Sequence, residues 1–207
     1  MPHDGMGTHQ SSAMDSDEWL TPPEILARLG PFDMDPCAAP DPRPWPTAAR
    51  HVVRADNGLL MPWDGRVWLN PPYGGPSVVG PWMRRMAAHG DGIALIFART
   101  ETALFFETVW RAATAVLFLE GRLFFHRPNG VRASANAGAP SCLVAYGRAN
   151  ATALEMCGID GYLVPIRPTH RQDPAEWHGT LWEAPADDKP SSYEGQHGLP
   201  NMVAVAK

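Results

Sequence analysis

Cysteine is scarce in this chain. Cys37, Cys142 and Cys157 are odd in number and include no CxxC pair, which excludes a disulfide framework and a zinc site. No apolar run approaches the roughly 20 residues that a membrane span needs. The first residues, MPHDGMGTHQSSAMDSDEW, lack a basic stretch followed by an apolar one, so no secretory signal is expected. A reducing, cytoplasmic setting is the expectation. Lysine is nearly missing: Lys189 and Lys207 stand alone and arginine carries the rest of the positive charge. No GxGxxG follows a strand pattern, which disfavours a nucleotide-binding dehydrogenase. His126 has no partners at ligand spacing, and no metal site is read.

What is present suits one buried core: 207 residues, 44% of them hydrophobic. The net charge of −5 argues against nucleic-acid binding until its distribution is considered. Trp82 to Arg132 holds seven arginines against four acids, a local excess of three positive charges, whereas Met1 to Glu18 holds four acids and no base. Residues 1–16 are polar and read as a mobile arm. A compact domain is expected over 17–147, and 148–207 as a C-terminal extension, loosely packed over 168–200 where Pro and acids are frequent.

Thr21-Pro22-Pro23-Glu24 reads as a helix start, with Thr21 as N-cap, Pro22 at the first helical position and Glu24 in capping-box position. That helix stops at Gly30-Pro31. A short strand, Phe32 to Asp35, ends in Pro36-Cys37-Ala38-Ala39 and gives way to a Pro-rich loop. Strands follow at 66–69, 93–98, 115–119 and 142–146, with helices at 81–89 and about 102–112. Trp82, Met83 and Met86 form the apolar side of the first of these helices. The alternation predicts an α/β fold with a doubly wound, mostly parallel sheet. The helix-free link over 120–141 predicts an antiparallel last strand. After Tyr146 the pattern fades.

The strand at 66–69 runs straight into Asn70-Pro71-Pro72-Tyr73. In open α/β sheets ligands sit beyond the carboxyl ends of strands, where this tetrapeptide lies. Two prolines fix φ and remove two N–H donors, leaving carbonyls without competition. Asn70 offers a side-chain carbonyl, Pro71 a backbone carbonyl and Tyr73 a flat ring. These parts suit an amino group on an aromatic ring, whose lone pair is delocalised until acceptors draw its N–H groups out of plane. The bland alternative is an ordinary strand-to-loop turn with Tyr73 in the core. Arg99 and Arg122 follow strand ends near the same rim, within reach of phosphates. The Arg127 to Arg132 loop, with Asn129-Gly130, is a candidate DNA-contacting loop. Arg84 and Arg85 read as a solvated helix face.

In this order, Glu18-Trp19-Leu20-Thr21-Pro22-Pro23, Asp33-Met34-Asp35-Pro36-Cys37-Ala38-Ala39, Val67-Trp68-Leu69-Asn70-Pro71-Pro72-Tyr73-Gly74, Arg99-Thr100 and Gly121-Arg122-Leu123-Phe124-Phe125 are similar to the phage-type DNA N6-adenine methyltransferase (Dam) family. The resemblance covers roughly residues 17–147 and implies a Rossmann-like methyltransferase fold using S-adenosylmethionine. It implies that Asn70, Pro71, Pro72 and Tyr73 form the catalytic centre acting on a flipped adenine of DNA. By the same resemblance Thr21-Pro22 meets the methionine end of the cofactor, and Asp35-Pro36-Cys37-Ala38 the end of the first strand that binds it. Asp56 is a candidate acceptor for the cofactor's adenine or ribose. The sequence departs from the wider class in one respect: Pro-rich sequence replaces the glycine-rich turn after the first strand. Cytosine N4, RNA and protein glutamine remain open as acceptors, as does a non-catalytic DNA-binding module. Oligomeric state is left open.

Overall fold

The structure is a computed structural model that describes residues 18–166. The expected arm at 1–16 and loose region at 168–200 lie outside the described residues. Seven strands form one sheet in the order β2-β1-β3-β4-β6-β5-β7. They are β1 (Met34–Ala38), β2 (Arg50–Val53), β3 (Val67–Leu69), β4 (Gly92–Phe97), β5 (Ala115–Leu119), β6 (Ser141–Tyr146) and β7 (Gly161–Pro165). Strands β1 to β4 pair in parallel. β6 inserts antiparallel between β4 and β5, and β7 runs antiparallel along β5. Five strands therefore point one way and two the other.

Side-chain alternation along the strands explains the layers. Trp68, Ile93, Leu95, Leu117 and Leu143 face one side, where α1 (Pro23–Leu29) and α4 (Arg148–Met156) cover them with Ile25, Leu26, Leu29 and Leu154. Val67, Leu69, Ala94, Ile96, Val116 and Val144 face the other. There α2 (Pro76–His89) contributes Met83 and Met86, and Phe105 and Val109 come from the segment after β4. Helices on both faces and strands buried on both sides agree with the α/β expectation.

Several elements differ from the sequence reading, each for a physical reason. Pro22, not Thr21, is the N-cap of α1, with ψ of 131° and no side-chain cap bond, and Glu24 is exposed. The ring of Pro23 drives Pro22 out of the helical region, which delays the helix by one residue. The first strand lies later than Phe32 to Asp35, and β2 rises from the end of a segment expected to be irregular. Helix α2 starts five residues before Pro81 and keeps that proline inside. The expected helix at 102–112 is one turn, α3 (Ala103–Phe105), capped by the Thr102 hydroxyl, and then π-helical from Phe106 to Trp110. Where the pattern fades after Tyr146, α4 and β7 extend the sheet. Arg84 and Arg85 are not simply solvated. Arg84 forks onto Glu107 at 2.8 and 2.9 Å, whereas Arg85 donates to the Leu59 and Met61 carbonyls and lies over Trp63.

Candidate active site

The five co-directed strands end at one rim, and a cavity of about 460 Å³ opens there. Its wall includes Thr21, the β1 run Asp35, Pro36, Cys37 and Ala38, and Asn70, Pro71, Pro72 and Tyr73 beyond β3. The structure thus gathers the segments that the sequence picked out separately. Pro22 is buried beside them as the cap of α1 but does not line the cavity. Asp56 also falls outside the lining: it is exposed, and its carboxylate accepts from the Val53 amide at 3.3 Å. Its neighbours Asn57 and Gly58 are in the wall instead.

Asn70 is the most constrained polar group. Its Nδ2 donates to the Trp19 carbonyl at 2.9 Å. A carbonyl can only accept, so the amide must present its nitrogen there, which fixes where its oxygen lies. Oδ1 is buried and has no hydrogen-bond partner. Beneath it, the Cys37 thiol donates to the Asn70 backbone carbonyl at 3.1 Å, tying β1 to the turn after β3. Burial pushes the Cys37 thiol well up, with the Asp35 carboxylate adding to the shift, which disfavours the thiolate that a nucleophile needs. Tyr73 is half-buried, its ring 4.5 Å from Phe97 and edge-on to Phe125 at 5.6 Å.

Asp35 is buried, and desolvation lifts its carboxyl to about 6 against bonds from the Thr47 hydroxyl and the Cys37 amide. Thr47 is presented by the Pro-rich loop, whose amides at Thr47 and Ala48 donate to Nε2 of His51 at 3.1 and 3.3 Å. Accepting at Nε2 requires a neutral ring, in accord with the lowering of His51 by burial and by Arg43. Two further polar atoms of the wall, Thr21 Oγ1 and Trp68 Nε1, are buried without partners. Unsatisfied donors and acceptors facing a cavity are what a polar ligand would satisfy.

Sequence reasoning missed Thr47, Gly58, Trp68 and Trp82 in this wall. Gly58 had a readable signal, as a glycine in an Asn-Gly pair, but its partner did not. A Cβ there would stand 1.8 Å from the Pro36 carbonyl oxygen. Gly58 thus lets the chain pass directly against the backbone at the cavity end of β1.

A second, more apolar cavity of about 310 Å³ shares Pro71 and Tyr73 as a wall and has Arg99 in its lining. Arg122 is exposed and donates to the Ala137 carbonyl at 3.1 Å, while Arg132 lies over the Phe124 ring. Arg127 and Arg132 flank the tip of an irregular hairpin over 120–140, laced by the Ala137–Leu123, Ala133–Phe125 and Arg127–Val131 backbone bonds. The arginines are thus spread around the rim and are not gathered in the main cavity. Among the described residues no cluster of three or more metal-ligating side chains occurs, and no helix is long and apolar enough to cross a membrane.

Comparison with known proteins identifies a family. The family model for DNA N-6-adenine-methyltransferase (Dam) matches residues 8–153. A DNA N-6-adenine-methyltransferase of Escherichia phage T1 is 25% identical over 124 residues, 56% of this chain and 50% of that protein. The chain therefore spans half the length of that relative. No solved structure matches. With the match covering most of its length, including both segments that meet at the cavity, the chain belongs to the DNA N-6-adenine-methyltransferase (Dam) family.

Proposed function

We propose that the chain methylates the N6 amino group of adenine in DNA, in the cytoplasm, with S-adenosylmethionine as donor. The observation that carries this reading is the Asn70 amide, whose nitrogen is committed to the Trp19 carbonyl and whose buried oxygen is unclaimed in a cavity wall. The donor, when bound, supplies an electrophilic methyl group on a sulfonium. The cavity fits a molecule of that kind: its volume is in the range of small-molecule sites, and the buried Thr21 hydroxyl and Trp68 N–H await polar partners. Asp35, Pro36, Cys37, Ala38, Thr21, Asn57 and Gly58 would hold it. The rim position suits the Rossmann-like methyltransferase type of the α/β fold.

Asn70 Oδ1 and the Pro71 carbonyl accept the two N–H groups of the adenine amino group. Their pull localises the nitrogen lone pair and stabilises the positive charge that develops as the nitrogen attacks. Because its nitrogen is already anchored, the sense of the Asn70 amide is set before the substrate arrives. Tyr73, braced by Phe97 and Phe125, offers an apolar face for the base. A duplex adenine is paired and stacked, so it must leave the helix to reach these groups. Arg99, Arg122, Arg127 and Arg132 would meet phosphates.

The test is methyl transfer from labelled donor to DNA, RNA and protein, followed by nucleoside analysis. Label in N6-methyladenine is expected, and label confined to cytosine, RNA or glutamine would overturn the acceptor. Asn70→Ala should bind the donor within a few-fold of wild type by calorimetry while turnover falls by about 100-fold or more. Wild-type turnover in that variant would refute the role of the amide.

A further inference from the structure

Three consecutive residues at the cavity edge are each tied to a different part of the chain. The Trp19 carbonyl accepts from Asn70 Nδ2 at 2.9 Å. Leu20 exchanges both backbone hydrogen bonds with His126, at 2.8 and 3.0 Å. The Thr21 carbonyl accepts from Trp45 Nε1 at 3.2 Å. The anchors of Leu20 and Thr21 also touch each other, the Trp45 and His126 rings meeting edge to face at 5.2 Å. No regular element contains residues 19–21, because α1 begins only at Pro23. Their place is set by the Pro-rich loop on one side and the 120–140 hairpin on the other.

That matters because an amide side chain has two ends of nearly equal shape and opposite hydrogen-bonding sense. Only the fixed Trp19 carbonyl decides which end of Asn70 turns to the cavity. A shift of about 1 Å in a group that orients reacting atoms is enough to cost orders of magnitude in rate. We propose that Trp45 and His126 are positioning residues for methyl transfer, holding the Trp19–Thr21 segment so that its first carbonyl keeps the Asn70 oxygen toward the cavity. The inference rests on the reading of Asn70 as acceptor for the amino group. It also makes the arginine-bearing hairpin mechanically continuous with that amide.

Trp45→Phe keeps a ring against His126 and removes only the N–H that holds Thr21. Its kcat should fall about tenfold, with KM for donor and DNA within about twofold and the melting transition retained. The side-chain amide resonances of Asn70, identified by their loss in Asn70→Ala, should shift. In an Asn70→Ala background Trp45→Phe should lower kcat no further, since it acts through the missing amide. His126→Ala, which removes the ring that Trp45 packs against and keeps the backbone pairing with Leu20, is read in the same three ways and decides the matter if Trp45→Phe does not fold. Unmoved Asn70 resonances, or a kcat loss repeated in full in the Asn70→Ala background, would overturn the proposal and leave Trp45 a packing residue. If Asn70→Ala is inactive while both aromatic variants match wild type, positioning alone fails; if Asn70→Ala is fully active, the reading of Asn70 falls with it.

Discussion

At Asp35 two opposing influences meet. Burial disfavours its charge, while the Thr47 hydroxyl and the Cys37 amide favour it, and burial prevails, lifting the carboxyl from 3.8 to about 6. A carboxyl whose pKa is higher folded than unfolded binds its proton more tightly in the native state, so stability falls as pH rises from about 4 through 6. The size is on the order of 2 to 3 kcal/mol across that window. Asp35→Asn lacks this titration. The melting temperature of the variant relative to wild type should therefore rise between pH 4 and pH 7, and a constant difference would contradict the raised value. Gly58 is a matter of space. A Cβ at 1.8 Å from the Pro36 oxygen meets backbone, which cannot swing aside. Gly58→Ala should cost about 1–3 kcal/mol in denaturant unfolding and weaken donor binding, because both sides of the contact line the cavity.

Among the elements, the end of the sheet opposite the cavity is locked by one side chain. Asn150 of α4 is fully buried. It accepts from Arg66 Nε at 2.6 Å and donates to Asp91 and to the Tyr146 carbonyl, both at 2.7 Å. It thereby joins α4 to the chain entering β3 and β4 and to the end of β6. Asn150→Ala removes all three bonds from a buried position and should cost about 1–3 kcal/mol by chemical denaturation, with kcat unchanged below the unfolding transition. This network was not legible in the sequence, because a lone Asn in a weakly amphipathic stretch gives no sign of partners 59 and 84 residues away. The continuous apolar strands β4, β5 and β6 were legible, since burial on both faces leaves no polar position to blur them. Proline obscured the rest: Pro81 concealed the first turn of α2, and Pro23 displaced the cap from Thr21. At the site, Asn70 to Tyr73 and the β1 run declared themselves by residue type. Thr47 and Gly58 did not, because their roles come from what the loop folds against.

Over the whole molecule, the proposed function requires an acidic chain to approach an acidic polymer. Arg84 is paired with Glu107, an acid already subtracted in the excess of three between Trp82 and Arg132, so it is a poor reporter of polymer contact. Arg127, exposed beside the hairpin tip, is the better probe. Arg127→Ala should weaken DNA binding evenly across sequences and reduce the slope of log K against log salt by about 1, with donor affinity unchanged. An unaltered slope by titration at several salt concentrations would place that arginine off the DNA.

Every residue lining the larger cavity falls between Glu18 and Trp82, whereas the hairpin that bears Arg122, Arg127 and Arg132 lies at 120–140. On the proposed function, donor pocket and polymer-facing surface would occupy separate stretches of the gene. Recombination between related chains could exchange the second stretch and inherit the first whole, so that new target sequences arise without reinventing the chemistry. The hinge of such an exchange is the Leu20–His126 pairing, where a foreign hairpin would still have to fit.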